Sequence, residues 1–252
     1  AQQVADGAAA GRLMAPHAMH PEAASPLAVF DLDGTLIDSG ANILAGLRAT
    51  FAELGLPVPD DAELVHYIGP PVWQSFLSRA GLDRDSADAA ARIYGRISNE
   101  HFRDGVTVYP GIRECLDAVA GHGAVLAIAT SKPEHQAFAL LDELGLRERF
   151  VTVVGYLPTG ERDSKAAIIR EVLTRVSAIE GSPVSLRSVV MVGDREHDID
   201  GAEANGIASV WAGWGYGSPT EGAAATRTVS RPDLLAPALV YLLTPAEGVD
   251  GG

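Results

Sequence analysis

Short apolar runs ending in small or acidic residues recur along this chain, and they constrain its fold more than any other feature. Each has the length and aliphatic content of a strand that is buried on both faces of a sheet. The five runs are LAVFD (27–31), VLAIAT (125–130), FVTVVG (150–155), SVVMVG (188–193) and ASVWAG (208–213). We predict that they form one parallel β-sheet.

Segments with helical periodicity separate these runs. They are GIRECLDAVAGHG (111–123), PEHQAFALLDELG (133–145), SKAAIIREVLTRV (164–176) and HDIDGAEANG (197–206). Gly145 and Gly206 stand where C-terminal helix caps are expected. Strands alternating with helices predict a doubly wound α/β fold, in which ligands bind beyond the carboxyl ends of the strands.

Residues 41–107 interrupt the alternation with helical stretches and no convincing strand. Near their start, apolar residues share one helix face: Ile43, Leu44, Leu47, Phe51 and Leu54. A segment of this length is typical of an inserted domain rather than a loop. We therefore predict a core of residues 26–40 and 108–244, a helical cap at 41–107, a disordered tail at 1–25 and a flexible C-terminus at 245–252.

Composition narrows the classes of partner. The formal net charge of −14 disfavours a nucleic-acid partner, and a phosphate site must supply its own local positive charge. No apolar run approaches the roughly 20 residues of a membrane-spanning helix. The single cysteine, Cys115, lies in a helical pattern and is expected to pack as a small hydrophobe, which fits a reducing cytoplasm.

Two acidic clusters follow predicted strands. Asp31 and Asp33 lie in DLDGT, where Gly34 supplies backbone freedom, and Asp194 and Asp198 lie in GDREHD. Like charges this close are costly unless a cation lies between them or one is protonated. Hard oxygen ligands at two strand ends favour Mg²⁺, and we expect Asp31 and Asp194 to bind it directly.

Hydroxyl and cationic groups lie between the clusters. Thr130 and Ser131 end a predicted strand just before a helix, where they could bind phosphate oxygens or simply cap that helix. Lys165 begins another helix, where the positive end of the helix dipole disfavours a cation. Its position makes sense if an anion lies in front of it.

Taken in order, DLDGT at 31–35, Thr130, Lys165 and GDxxxD at 193–198 resemble the four motifs of the haloacid dehalogenase superfamily. The resemblance spans about residues 27–243. It implies that Asp31 is a nucleophile that forms an aspartyl-phosphate, and that Asp33 is the acid and base. The resemblance argues against dehalogenation, because dehalogenases of this fold lack the second aspartate.

The resemblance also implies the remaining roles. Thr130 and Lys165 would bind the transferring phosphoryl group, with Ser131 and Gly34 beside it. Asp31, the backbone carbonyl of Asp33 and Asp194 would hold Mg²⁺. Asp198 would orient the water around the metal and Lys165.

The helical insertion is similar to the cap of the phosphoglycolate-phosphatase-like branch. However, Lys165 is followed by Ala166 and Ala167 rather than proline, and the loop GWGYGS (213–218) looks closer to a branch with 5′-nucleotidases and a mycobacterial tyrosine-phosphorylating protein. We predict a phosphatase acting on a small phosphorylated metabolite, phosphoglycolate or a nucleoside monophosphate, as a monomer or homodimer. The alternatives are a phosphotransferase, mutase or protein-tyrosine kinase, and an inactive binding protein, which the complete motifs disfavour.

Overall fold

The structure is a computed structural model that describes residues 25–157 and 160–244. In chain order the strands are β1 (Leu27–Phe30), β2 (Ile37–Asp38), β3 (Thr107–Val108), β4 (Val125–Pro133), β5 (Thr152–Tyr156), β6 (Val189–Gly193), β7 (Ala208–Ala212) and β8 (Arg227–Val229). The helices are α1 (Gly40–Glu53), α2 (Asp61–Leu64), α3 (Val72–Ser78), α4 (Arg84–His101), α5 (Ile112–Gly121), α6 (Glu134–Glu143), α7 (Lys165–Glu180), α8 (Glu196–Ala204) and α9 (Leu235–Leu243).

A six-stranded parallel sheet forms the centre of the fold, in the order β5-β4-β1-β6-β7-β8. The five predicted strands are β1 and β4 to β7, so the predicted α/β class is confirmed. The first of them, β1, is fully buried between β4 and β6. The strand order changes direction at β1, with β4 and β5 on one side and β6 to β8 on the other. At such a switch point a crevice opens beyond the carboxyl end of the strand.

The alternation of side chains along β1 divides the core into two layers. Ala28 and Phe30 face a cluster that includes the apolar sides of α5, α6 and α9. Leu27 and Val29 face the opposite cluster, which includes α7 and α8. Helices therefore cover both faces of the sheet, as the alternating pattern predicts.

The helical segment between β2 and β3 has its own apolar cluster. The predicted helix face is confirmed on α1: Ile43, Leu47 and Phe51 are buried in that cluster, and Leu44 and Leu54 pack against it. The antiparallel pair β2–β3 brings the two ends of the segment together. The predicted domain boundaries remain a proposal.

Three strands were not predicted, because each has only two or three residues: β2, β3 and the edge strand β8. The fourth strand also runs beyond its predicted end at Thr130 to Pro133, with a register shift after Ala129.

Cys115 is 4% exposed on α5, and burial raises the pKa of its thiol to about 12, so its predicted role as a buried hydrophobe is confirmed. Within the described residues, no helix is both long and apolar enough to cross a bilayer. The predicted tail and C-terminus fall outside those residues, apart from Ser25.

Candidate active site

The two acidic clusters meet at the carboxyl end of the central strands. Asp31 follows β1 directly, and its N–H donates to Val192 O on β6 at 2.9 Å. Asp194 follows β6 directly and is fully buried. Parallel strands end at the same edge of a sheet, so two distant sequence positions are brought together there.

Lys165 joins the two clusters. Its Nζ lies 2.8 Å from Asp31 Oδ1 and 2.8 Å from Asp198 Oδ1, and it donates to Ala129 O at 3.0 Å. All three side chains are at most 4% exposed. A buried ammonium group therefore binds two carboxylates, one just after β1 and one on α8.

These contacts change the acidity of the groups. Burial, Asp198 and Asp33 outweigh the attraction of Lys165 and raise the pKa of Asp31 to about 7. Burial disfavours the charged form of Lys165, but Asp198 and Asp31 outweigh it and raise the pKa of that ammonium above its usual value. Burial, together with Asp31 and Asp198, holds the pKa of Asp194 well above its usual range.

The donor set fits a divalent cation. Oxygen atoms of Asp31, Asp194 and Asp198 all lie within 4.8 Å of one another. With every group ionised, the three carboxylates carry three negative charges against the single positive charge of Lys165. The buried surplus of negative charge and the all-oxygen donors suit Mg²⁺.

Asp194 is held by two neighbours to which the sequence assigned no role. Its Oδ1 accepts from Thr35 Oγ1 at 3.0 Å, and its Oδ2 accepts from the N–H of Tyr216 at 2.8 Å. Gly34 lies against this carboxylate, since a Cβ on Gly34 would be 2.3 Å from Asp194 Oδ2. The N–H of Gly34 donates to Ile37 O at 2.9 Å. The structure thus places Gly34 beside Asp194, and its predicted contact with substrate stays a prediction.

Asp33 has two partners that the sequence reasoning missed. Ser39 donates through Oγ to Asp33 Oδ1, and Lys132 Nζ lies 3.3 Å from Asp33 Oδ2. Lys132 is 9% exposed, which is unusual for lysine. The sequence did contain a signal for Lys132: it is a cation two residues after Thr130, near the end of the strand that carries Thr130 to the site.

Thr130 and Ser131 lie at the same edge, and neither caps α6, whose N-cap is Pro133. The hydroxyl of Thr130 accepts from the N–H of Lys132 at 3.2 Å. The buried Oγ of Ser131 has no hydrogen-bond partner among the described residues. An unpaired buried hydroxyl is costly, so a ligand oxygen at this place would relieve it.

A cavity of about 890 Å³ opens above Asp31 and Asp33. Thr130, Ser131 and Lys132 line its floor. Its other walls include aromatic side chains from the helical segment and the core: Tyr67, Trp73, Tyr94, Phe138 and Tyr156. The segment Tyr67–Pro70 of the helical insertion lines this cavity as well. Asp31 and Asp33 therefore face a space that can hold a molecule much larger than a phosphate group.

Comparison with known proteins gives consistent matches. A family model described as haloacid dehalogenase-like hydrolase matches residues 28–212, which run from β1 to β7 and include the helical segment. A 5′-nucleotidase from Pseudomonas aeruginosa is 36% identical over 202 residues, which cover 78% of this chain and 86% of that protein. A phosphoglycolate phosphatase from Chromobacterium violaceum is 32% identical over 194 residues, covering 74% of this chain and 84% of that protein.

Two further matches extend the comparison. The tyrosine-protein kinase PtkA from Mycobacterium tuberculosis is 34% identical over 200 residues, which cover 79% of this chain and 66% of that protein. The crystal structure of a predicted phosphatase from Clostridium acetobutylicum has a TM-score of 0.80 and 28% identity, and the match covers 87% of this chain and all of that chain. The branches suggested by the motifs are thus the ones found among the relatives.

Proposed function

The chain belongs to the haloacid dehalogenase-like hydrolases and is a phosphatase of that family, and we propose that it hydrolyses a phosphomonoester through an aspartyl-phosphate on Asp31. One observation carries the proposal. Asp31 faces the cavity and is also paired with the buried Lys165, which in turn is paired with Asp198. A carboxylate held in this way is suited to attack a phosphorus atom.

In the first step, an oxygen of Asp31 forms a bond to phosphorus while the bond from phosphorus to the ester oxygen breaks. Asp33 gives its proton to that leaving oxygen. Lys165 and the hydroxyls of Thr130 and Ser131 stabilise the negative charge on the phosphoryl oxygens. The products are the free alcohol and phosphorylated Asp31.

In the second step, Asp33 accepts a proton from a water molecule as the water oxygen attacks phosphorus. The bond between phosphorus and Asp31 breaks, which releases inorganic phosphate and restores the carboxylate. Lys132 beside Asp33, at 3.3 Å, stabilises its ionised form between the two steps.

We propose Mg²⁺ as the cofactor, held by Asp31, Asp194 and the backbone carbonyl of Asp33, with Asp198 orienting its water. When bound, Mg²⁺ would neutralise charge on the phosphoryl oxygens. The clustered oxygens of Asp31, Asp194 and Asp198 support this assignment.

The size and aromatic lining of the cavity favour a nucleoside monophosphate over phosphoglycolate. Phosphoglycolate would fill a small part of about 890 Å³, whereas a nucleoside would reach the aromatic walls. The guanidinium of Arg84 lies 4.1 Å from the centroid of the Trp73 ring, and both residues line the cavity. The similarity to a 5′-nucleotidase supports the same choice.

The test is phosphate release from p-nitrophenyl phosphate and from a panel of nucleoside monophosphates and phosphoglycolate, with and without Mg²⁺. We expect Asp31→Asn to reduce turnover by at least about a thousandfold. Asp200→Asn, an exposed change on α8, is the matched control and should retain activity. Full activity of Asp31→Asn, or turnover in the presence of a chelator, contradicts the proposal.

Transfer of the phosphoryl group to a protein tyrosine is a second candidate, supported by the similarity to PtkA. Incubation with labelled ATP and a tyrosine-containing peptide separates the two. Labelled peptide favours transfer, and labelled inorganic phosphate alone favours hydrolysis.

We also propose that the protein is cytoplasmic and acts on its small substrate as a monomer or homodimer, without nucleic acid or membrane. The net charge of −14 supports the exclusion of polyanions. Light scattering with size-exclusion chromatography measures the oligomeric state.

A further inference from the structure

Tyr216, in the loop 213–218 between β7 and β8, contacts two parts of the site that are far apart in the sequence. Its backbone N–H donates to Asp194 Oδ2 at 2.8 Å. Its hydroxyl accepts from the N–H of Ser39 at 2.8 Å and donates to Asp38 Oδ1 at 3.0 Å. One residue thus bonds both to a proposed metal ligand and to the start of α1.

The loop approaches Asp194 so closely that only glycine fits beside Tyr216. A Cβ on Gly215 would lie 2.2 Å from Asp194 Cβ, well inside the contact distance of two carbon atoms. This approach lets the N–H of Tyr216 reach the carboxylate. The GWGYGS sequence is therefore explained by its contact with Asp194, as well as by packing.

The side chain of Tyr216 packs against the helical segment. Its ring belongs to the edge of the apolar cluster formed by α1 to α4. A Cβ on Gly40, the first residue of α1, would be 2.9 Å from the ring atom Cε1. Burial raises the pKa of the hydroxyl above its usual value, so it remains a protonated donor.

From Ser39 the path continues to Asp33, because Ser39 donates through its Oγ to Asp33 Oδ1. We infer that Tyr216 is a positioning residue, which rests on the proposed hydrolysis: it fixes Asp33 relative to Asp194 by binding the backbone of Ser39 and the carboxylate of Asp194 at once. Proton transfer by Asp33 needs hydrogen-bond reach to the leaving oxygen, so its place must be held closely.

Tyr216→Phe tests this role, since it keeps the ring and the backbone N–H and removes only the hydroxyl. We expect kcat/KM for a simple alkyl phosphate, whose leaving oxygen needs a proton, to fall about tenfold. For p-nitrophenyl phosphate, whose leaving group needs none, the fall should stay within about twofold. Tyr241→Phe, at an exposed tyrosine on α9, is the matched control and should change neither value.

An equal loss on both substrates, or no loss on either, overturns the inference. If wild-type protein hydrolyses neither substrate, the proposed function fails instead, and a second measurement decides the positioning role without activity. In Mg²⁺-free protein, Tyr216→Phe should speed amide hydrogen exchange of Ser39 about tenfold, since its N–H loses its acceptor. Unchanged exchange at Ser39 also overturns the inference.

If Tyr216→Phe fails to fold, Ser39→Ala tests the same path from its other end, because it keeps the bond to Tyr216 and removes the bond to Asp33. It should show the same contrast between alkyl and aryl phosphates. Equal losses from Ser39→Ala on both substrates contradict the path.

Discussion

The ammonium of Lys165 lies 2.8 Å from Asp31 Oδ1, and both side chains are almost fully buried. Asp198 lies on the other side of the same ammonium, also at 2.8 Å. Because charges at this depth are stable only when paired, the position of each group depends on the others. The proposed nucleophile is therefore part of the folded core as well as of the cavity wall.

Lys165→Met should destabilise the metal-free protein by about 3–5 kcal/mol, because it leaves Asp31 and Asp198 buried without their cation. Urea unfolding at pH 8 measures the free energy of unfolding. Arg170→Met, an exposed change on the same helix, should alter it by less than about 0.5 kcal/mol. A loss below about 1 kcal/mol for Lys165→Met contradicts the structural role of the ion pair.

Binding of Mg²⁺ should stabilise the protein more at pH 8 than at pH 5.5. The pKa of Asp31 is raised from 3.8 to about 7 in the folded metal-free protein, so its contribution to stability falls as pH rises through that window. Asp194, whose pKa is also raised, acts in the same direction. The metal binds the ionised carboxylates and must displace their protons at low pH.

Thermal unfolding with and without Mg²⁺ at the two pH values checks this expectation. At about a hundredfold excess over Kd, we expect a Tm increase of about 5–10 °C at pH 8 and less than half of it at pH 5.5. Burial also lowers the pKa of His197. Its effect on stability is present with and without Mg²⁺, so it largely cancels when the two Tm values are subtracted. Asp194→Asn should lose the effect, and an equal increase at both pH values speaks against these ligands.

Trp73→Ala should raise KM for a nucleoside monophosphate about tenfold, because stacking of a base on an aromatic ring contributes roughly 1–3 kcal/mol. For phosphoglycolate, which has no base to stack on the ring, KM should change less than about twofold. Leu77→Ala, at a partly exposed position on the same helix, is the control. Equal effects on both substrates argue against base stacking on Trp73.

Gly69→Ala should reduce kcat/KM at least about tenfold, since it disturbs the wall of the cavity above the site. Gly69 has φ +114°, and a Cβ there would lie 2.7 Å from Arg195 Cγ. Arg195 cannot move away easily, because it is 4% exposed and its Nε lies 2.9 Å from Glu221 Oε2. Gly121→Ala, on α5 with open space around it, should keep full activity, and full activity of Gly69→Ala contradicts this account.

The arrangement of the strands and helices was predictable from the sequence because its signals are local. Apolar runs of five or six residues and the helical repeats between them identify β1 and β4 to β7 with helices α5 to α8, whereas α9 was not predicted. The pair β2–β3 and strand β8 were missed, since two or three residues carry no period.

The motif residues were also accessible from the sequence, because each ends a predicted strand or begins a helix. Asp31 and Asp194 each follow a parallel strand, so their position at the carboxyl edge of the sheet follows from the strands sharing that edge. The two branches of relatives suggested by the motifs agree with the 5′-nucleotidase and phosphoglycolate phosphatase that the chain resembles.

The sequence by itself determined five strands of the sheet, helices α5 to α8 and the types of chemical group at its edge, since these depend on periodicity and on residue type. Only the tertiary structure decided which groups touch: Lys132 and Ser39 on Asp33, and Tyr216 between Ser39 and Asp194. These partners are up to 177 residues apart in the chain, and the contacts are formed by side-chain rotamers and loop paths. Such contacts depend on packing in three dimensions, which leaves no periodic signal in the sequence.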